Sequence, residues 1–251
     1  MDLTLDHNPR CKARVLSTPS LQTVTNWLRA GVADFRANLR VSLLYGFGLA
    51  GLGWATILGL IATGLGWMIL PALAGAMLVG PVATVGLYQI SRRAGGMDKP
   101  VAAPGQVFLV GVVMMILVLL WIRSATLLFA VFYGLRPFAG PVESALTVFS
   151  SGHGLALFAS GLCVGGLFAA FGFAISVFSF PMLVHREVDG FSAMGLSFNA
   201  TTQNFSLLLL WGVCITGLVS LGVLTGLILM IPLFPILGYA TWHAYADLFE
   251  S

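Results

Sequence analysis

The strongest constraint on this chain is an apolar run of 43 residues, Leu207 to Phe249. A helix crosses the hydrocarbon core of a bilayer with about 20 mostly apolar residues, so this run is too long for one crossing. It suits two, joined by a tight turn near Gly222-Val223-Leu224-Thr225-Gly226. Four more runs precede it: Leu43–Thr63, Leu65–Ile90 with Pro71 and Pro81, Val107 to about Leu128 or Tyr133, and Leu155–Val184. Six spans are expected, with five as the rival if the last run is one long kinked helix. Charged residues are only 8% of the chain, against about 25% in soluble domains. So little charge cannot cover an aqueous surface, which excludes a soluble enzyme or a nucleic-acid binder. The expected fold is all-α, a polytopic transmembrane bundle. Residues 1–18 are read as a polar cytoplasmic tail, 19–41 as an amphipathic interfacial helix and 42–249 as the membrane domain.

Orientation follows from the basic residues. Arg10, Lys12, Arg14, Arg29, Arg36 and Arg40 precede the first span, Arg92, Arg93 and Lys99 follow the second, and Arg186 follows the fourth. Six spans put all ten on one side, leaving Arg136 opposite and Arg123 within a span. Positive residues favour the cytoplasmic side, so both termini are expected there. Met1 to Thr18 lacks an apolar stretch, so insertion is expected to rely on the first span rather than on a cleaved signal.

Ahead of that span, Leu21, Val24, Leu28, Val32, Phe35 and Leu39 recur three and four apart and share one helix face, while Gln22, Asn26, Arg29, Arg36 and Arg40 take the other. Trp27 and the arginines suit a helix at the headgroup level; docking on the bundle or on a partner is the alternative. A similar arrangement precedes the fifth span, where Asp189 is placed to cap a short helix with Phe191, Met194 and Phe198 on one face. Asn204-Phe205-Ser206-Leu207-Leu208-Leu209-Leu210-Trp211-Gly212 matches Asn38-Leu39-Arg40-Val41-Ser42-Leu43-Leu44-Tyr45-Gly46 at Asn, Leu-Leu, an aromatic and Gly. This spacing suggests a parallel internal repeat, although apolar sequences resemble one another easily.

The segment Trp27-Leu28-Arg29-Ala30-Gly31 to Asp34-Phe35, running into Ser42-Leu43-Leu44-Tyr45-Gly46, resembles the DUF2189 family of bacterial integral membrane proteins. So do Ser176-Val177-Phe178-Ser179-Phe180-Pro181-Met182-Leu183 and the ending Pro235 through Gly238-Tyr239-Ala240-Thr241-Trp242-His243-Ala244-Tyr245. The resemblance extends over nearly the whole chain after about residue 15. It implies a bacterial inner-membrane protein of about six helices, and it implies no activity. Some family members carry a cytochrome oxidase subunit label, which the residues themselves can test.

An oxidase core needs several histidines within the membrane. His7, His153, His185 and His243 lie in a tail, a loop and at span ends, with no pair at ligand spacing. His243 reads as part of an interfacial anchor with Trp242, Tyr245 and the more distant Trp27, and His185 as a solvated span end. Cys11, Cys163 and Cys214 show no metal-ligand spacing. The acidic residues are read as lying in tails or loops, so no buried carboxylate relay is expected. There is no phosphate loop and no nucleophile elbow. No catalysis, cofactor or metal is expected.

Arg123 is the one charge inside an apolar run, and Glu143 is its candidate partner. It either faces a cavity or partner, or snorkels to the outer headgroups. Gly161 with Gly165, Gly222 with Gly226, and Ala72, Ala76 and Gly80 sit four apart, a spacing that lets helices approach closely in lipid. Besides the lipid bilayer, the expected partner is another membrane protein or further copies of this chain. The first functional reading is a non-catalytic accessory, assembly or scaffold component of a membrane complex, respiratory or photosynthetic. The second is a transporter or channel for a small neutral, anionic or lipidic solute, using the proline-broken helices.

Overall fold

The computed structural model describes residues 14–15, 21–66, 69–94, 96, 100–134 and 151–250; among these every regular element is a helix. In chain order they are α1 (Leu21–Ala37), α2 (Leu39–Ala62), α3 (Ile69–Ala83), α4 (Val85–Ala94), α5 (Pro104–Tyr133), α6 (Gly152–Ser176), α7 (Ser179–His185), α8 (Gly190–Gln203), α9 (Phe205–Leu224) and α10 (Met230–Phe249).

Four stretches are long and apolar enough to cross a membrane: Leu39–Ala62, Pro104–Tyr133, Gly152–His185 and Phe205–Leu224. Six spans are therefore not confirmed, and the two shortfalls have separate causes. The expected span Leu65–Ile90 is divided into α3 and α4. Pro81 lies inside α3, where its ring removes a backbone donor, and Thr84 Oγ1 donates to the Pro81 carbonyl at 2.8 Å at the break. The 43-residue run turns at Gly226 and Leu227, both at positive φ, and so holds two helices. The second of these, α10, contains Pro235 and has thirteen buried residues. It is shielded by protein along much of its length.

Helix α10 packs antiparallel along both α1 and α2, and small residues set the distance of approach. A Cβ on Gly46 would lie 1.9 Å from the Ile231 carbonyl oxygen, and one on Gly31 would lie 2.6 Å from that of Ile236. Ser42 and Tyr239 hydroxyls meet at 2.9 Å in the same seam. Helix α1 is therefore docked on the bundle through Val24, Trp27 and Gly31, the alternative to a helix lying free at the headgroups. Its residues run from Leu21, and Asn38 separates it from α2.

That separation occurs twice with one geometry. Asn38 has φ −120° and ψ 39°, and Asn204, between α8 and α9, has φ −112° and ψ 38°. Each side-chain amide donates to the carbonyl four residues back, Asp34 and Ala200, at 3.2 Å. The bonds of the two backbones match as well: Asn38 N bonds Asp34 O and Ser42 N bonds Asn38 O, as Asn204 N bonds Ala200 O and Leu208 N bonds Asn204 O, all at 3.0 Å. The two segments matched in sequence thus form the same joint between a short helix and an apolar one.

The densest packing lies at one end of the bundle. Six consecutive residues of α7, Ser179 to Val184, are buried, and they share a core with Trp27, Tyr88, Trp211, Trp242, Tyr245 and Phe249. Backbone bonds from Ala102 to Val184 and from Arg14 to Leu248 close this end. Outward faces of the long helices are apolar instead: Leu44, Leu58, Met115, Leu119, Leu162, Leu167 and Val213 are exposed. This distribution is that of a chain whose middle faces lipid.

Candidate functional site

One cluster of partnered polar side chains lies where α1, α4, α7 and α10 meet. Asp34 lies seven residues after Trp27 and three after Gly31, so the helical repeat turns it toward α10 with them. His243 Nε2 lies 3.0 Å from Asp34 Oδ2, and Ser91 Oγ donates to the same oxygen. Two turns away, Trp27 Nε1 donates to Asp247 Oδ2 at 3.0 Å, and the Trp27 ring meets Trp211 edge to face at 5.8 Å. Serine and histidine both address the carboxylate, so the imidazole does not activate the hydroxyl. The order needed for a nucleophilic triad is missing from this cluster.

A second clasp holds the chain's end. His185 Nδ1 lies 2.8 Å from Glu250 Oε1 and 3.2 Å from the Tyr245 hydroxyl. The hydrogen bond from His185 holds the Glu250 carboxyl below the usual carboxylate range, against the raising effect of burial. Arg186 Nη2 donates to the Phe249 carbonyl at 3.2 Å.

Between these groups lies Arg92, 2% exposed. Its guanidinium donates to the Val184 carbonyl in the last turn of α7 and to the Pro100 carbonyl at 3.0 Å. Unpaired carbonyls at a helix C-terminus carry partial negative charge, which suits a cation there. Arg92 thereby ties α4, the approach to α5 and the end of α7 together. In the sequence Arg92 and Arg93 look equivalent, yet the first is buried and the second exposed.

Several sequence expectations change here. Asp34 and Asp247 are helical and partnered, not tail or loop residues. His185 is clasped rather than solvated, and His243 pairs with Asp34. The rings read as interfacial anchors are inside the protein: Trp27 is 3% exposed, Trp242 4% and Tyr245 0%. A signal for Asp34 was present, since it is an acid on the buried side of an amphipathic helix.

The small residues also divide. Gly165 lies against the Trp121 ring, where a Cβ would come within 3.0 Å, whereas a Cβ on Gly161 or Gly80 meets nothing within 4 Å. Gly222 is covered by Met230, and Gly226 serves the turn at φ +65° rather than a helix face. Ala72 is half-buried and Ala76 exposed on α3. Arg123 is exposed on α5, twentieth of its thirty residues; Glu143 lies outside the described residues. Among the described residues no group of three His, Cys, Asp or Glu side chains is placed to hold a metal. Two open depressions lie along α1, about 420 and 440 Å3 in volume.

The chain matches no curated protein and no solved structure. A family match covers residues 69–185, from α3 to the end of α7, a narrower extent than the sequence resemblance. Ser176–Leu183 lies within it, while Trp27–Gly46 and Pro235–Tyr245 lie outside and pack on one another. Over residues 69–185 this chain carries the match to DUF2189, predicted integral membrane protein, and its long apolar helices are those of a protein embedded in a lipid bilayer.

Proposed function

We propose that the protein is a non-catalytic component of a larger membrane complex, with an accessory, assembly or scaffold role, in a bacterial inner membrane with both termini cytoplasmic. The observation carrying this reading is the outward face of α6. Ala159, Cys163, Gly166 and Ala170 follow one another at helical spacing and are all exposed, and a Cβ on Gly166 meets nothing within 4 Å. In lipid, where apolar burial gives helices no reason to associate, such flat rows let a second helix approach closely. Polar groups support the same reading, because Asp34, His243, Asp247, His185, Glu250 and Arg92 bind side chains or backbone within the fold. A transporter would use such groups to line a passage, and the two depressions on α1 are open to the outside. Convergence of Arg14, Arg92 and Arg186 on the densely packed end supports a cytoplasmic assignment for that end.

The test is mild-detergent extraction from native membranes, a native gel and mass spectrometry of whatever co-migrates. Stoichiometric co-migration with a respiratory or photosynthetic complex, lost when Gly166 is replaced by Leu, is the expected result. A lone monomer, with solute uptake that depends on Arg123, would overturn it in favour of transport.

A further inference from the structure

The two Asn-jointed helix pairs present opposite chemistry outward. On α1 the exposed row is Arg29, Arg36 and Arg40, at the start of α2. On α8 it is Phe191 and Phe198, followed by Phe205 at the start of α9, seven residues apart and 63%, 44% and 61% exposed. Seven residues make nearly two turns, so the rings form one stripe. We infer that the α8 stripe is seated in the bilayer leaflet at the same end as α1, at the boundary between headgroups and acyl chains.

Continuity with the lipid-facing surface carries this assignment. Asn204 alone separates α8 from α9, and Phe205, the first residue of α9, is exposed as Phe191 and Phe198 are. The stripe then continues along α9 as Leu209 and Val213, 53% and 61% exposed, on a helix apolar enough to span the membrane. Helix α8 itself, GFSAMGLSFNATTQ, contains no charged residue. Its exposed flanks are Ser192, Asn199, Thr202 and Gln203, uncharged hydrogen-bonding groups suited to the ester and headgroup region. An amphipathic helix with aromatic residues on one side and no cost of burying charge belongs at that depth. A patch of three exposed rings in water is otherwise rare on a soluble surface.

The opposite side of α8 is fixed to the protein. Ser197 Oγ donates to the Ala174 carbonyl at 2.7 Å and accepts from Phe178 N at 3.1 Å, bridging the break between α6 and α7. Asp189 caps the helix by accepting from Ser192 N at 3.1 Å. Met194, which the sequence groups with Phe191 and Phe198, is on the buried side. The stripe is thus held rigidly toward one surface.

The test places a spin label in turn at 191, 198, 203 and 209 of the full chain, its three cysteines replaced by serine, in phosphatidylcholine–phosphatidylglycerol vesicles. Labels at 191 and 198 should favour oxygen over a water-soluble nickel complex, as at 209, while 203 favours nickel. Nickel access at 198 equal to that at 203, or no access to either reagent, would overturn the inference. A second route keeps the native cysteines: benzoylphenylalanine in place of Phe198, irradiated in native membranes. A phospholipid adduct by mass supports the leaflet; a cross-linked second copy, a foreign polypeptide, or no adduct above that at position 199 overturns it.

Discussion

The Asp34 carboxylate meets the His243 imidazole at 3.0 Å across 209 positions of sequence, joining the first described helix to the last. Ser91, from α4, reaches the same oxygen, so one carboxylate fixes three helices. Partly buried pairs of this kind couple by about 0.5–3 kcal/mol. A double-mutant cycle with Asp34→Asn and His243→Gln, read as thermal melting in detergent, should give a coupling within that range. Additive losses would show that the contact does not hold α1 to α10.

The α2–α10 seam predicts a steep dependence on one methyl group. Gly46→Ala places a Cβ against the Ile231 carbonyl, and forcing such an overlap costs about 1–3 kcal/mol. Gly161→Ala, where nothing lies within 4 Å, is the matched control and should leave the melting temperature unchanged. Equal melting of the two variants would contradict the packing described.

Arg92 should tolerate neither neutralisation nor replacement of its guanidinium by a lysine ammonium. Hydrogen bonds from a charged group contribute about 1.5–3 kcal/mol each, and Arg92→Met loses those to the Val184 and Pro100 carbonyls. Arg92→Lys keeps the charge without the planar fork and is expected to fall between Met and wild type. Protease sensitivity at residues 100–103 should rise in the same order.

Acid should release the C-terminal clasp. The Glu250 carboxyl is held below its ordinary value by His185, so its contribution is complete above the unfolded value, about 4.3, and is lost as pH falls through the folded value. The melting temperature of wild type, less that of Glu250→Gln, should therefore shrink as the pH falls below about 4. A difference that does not change with acid would show that the clasp adds nothing.

Exposure of Arg123 predicts a mild variant. Arg123→Leu should change stability by no more than about 0.5 kcal/mol, because a side chain at the surface of α5 reaches headgroups or water without breaking the bundle. Loss of folding in this variant alone would instead place the guanidinium in a protein contact.

The sequence by itself determined that the chain is helical, apolar and membrane-embedded, since scarcity of charge and run length are local properties. It also located the turn at Gly226, the Asp189 cap and the matched Asn38 and Asn204 segments, because capping and turn chemistry act over three or four residues. Tertiary structure alone decided the burial of α10 against α1 and α2, the choice of Arg92 over Arg93 for the interior, and the partners of Asp34, His185 and Asp247. Hydropathy reports that a segment avoids water; lipid and protein interior satisfy that demand equally. Which of the two surrounds a given residue depends on contacts made at separations of 197, 209 and 220 positions, beyond the reach of any helical period.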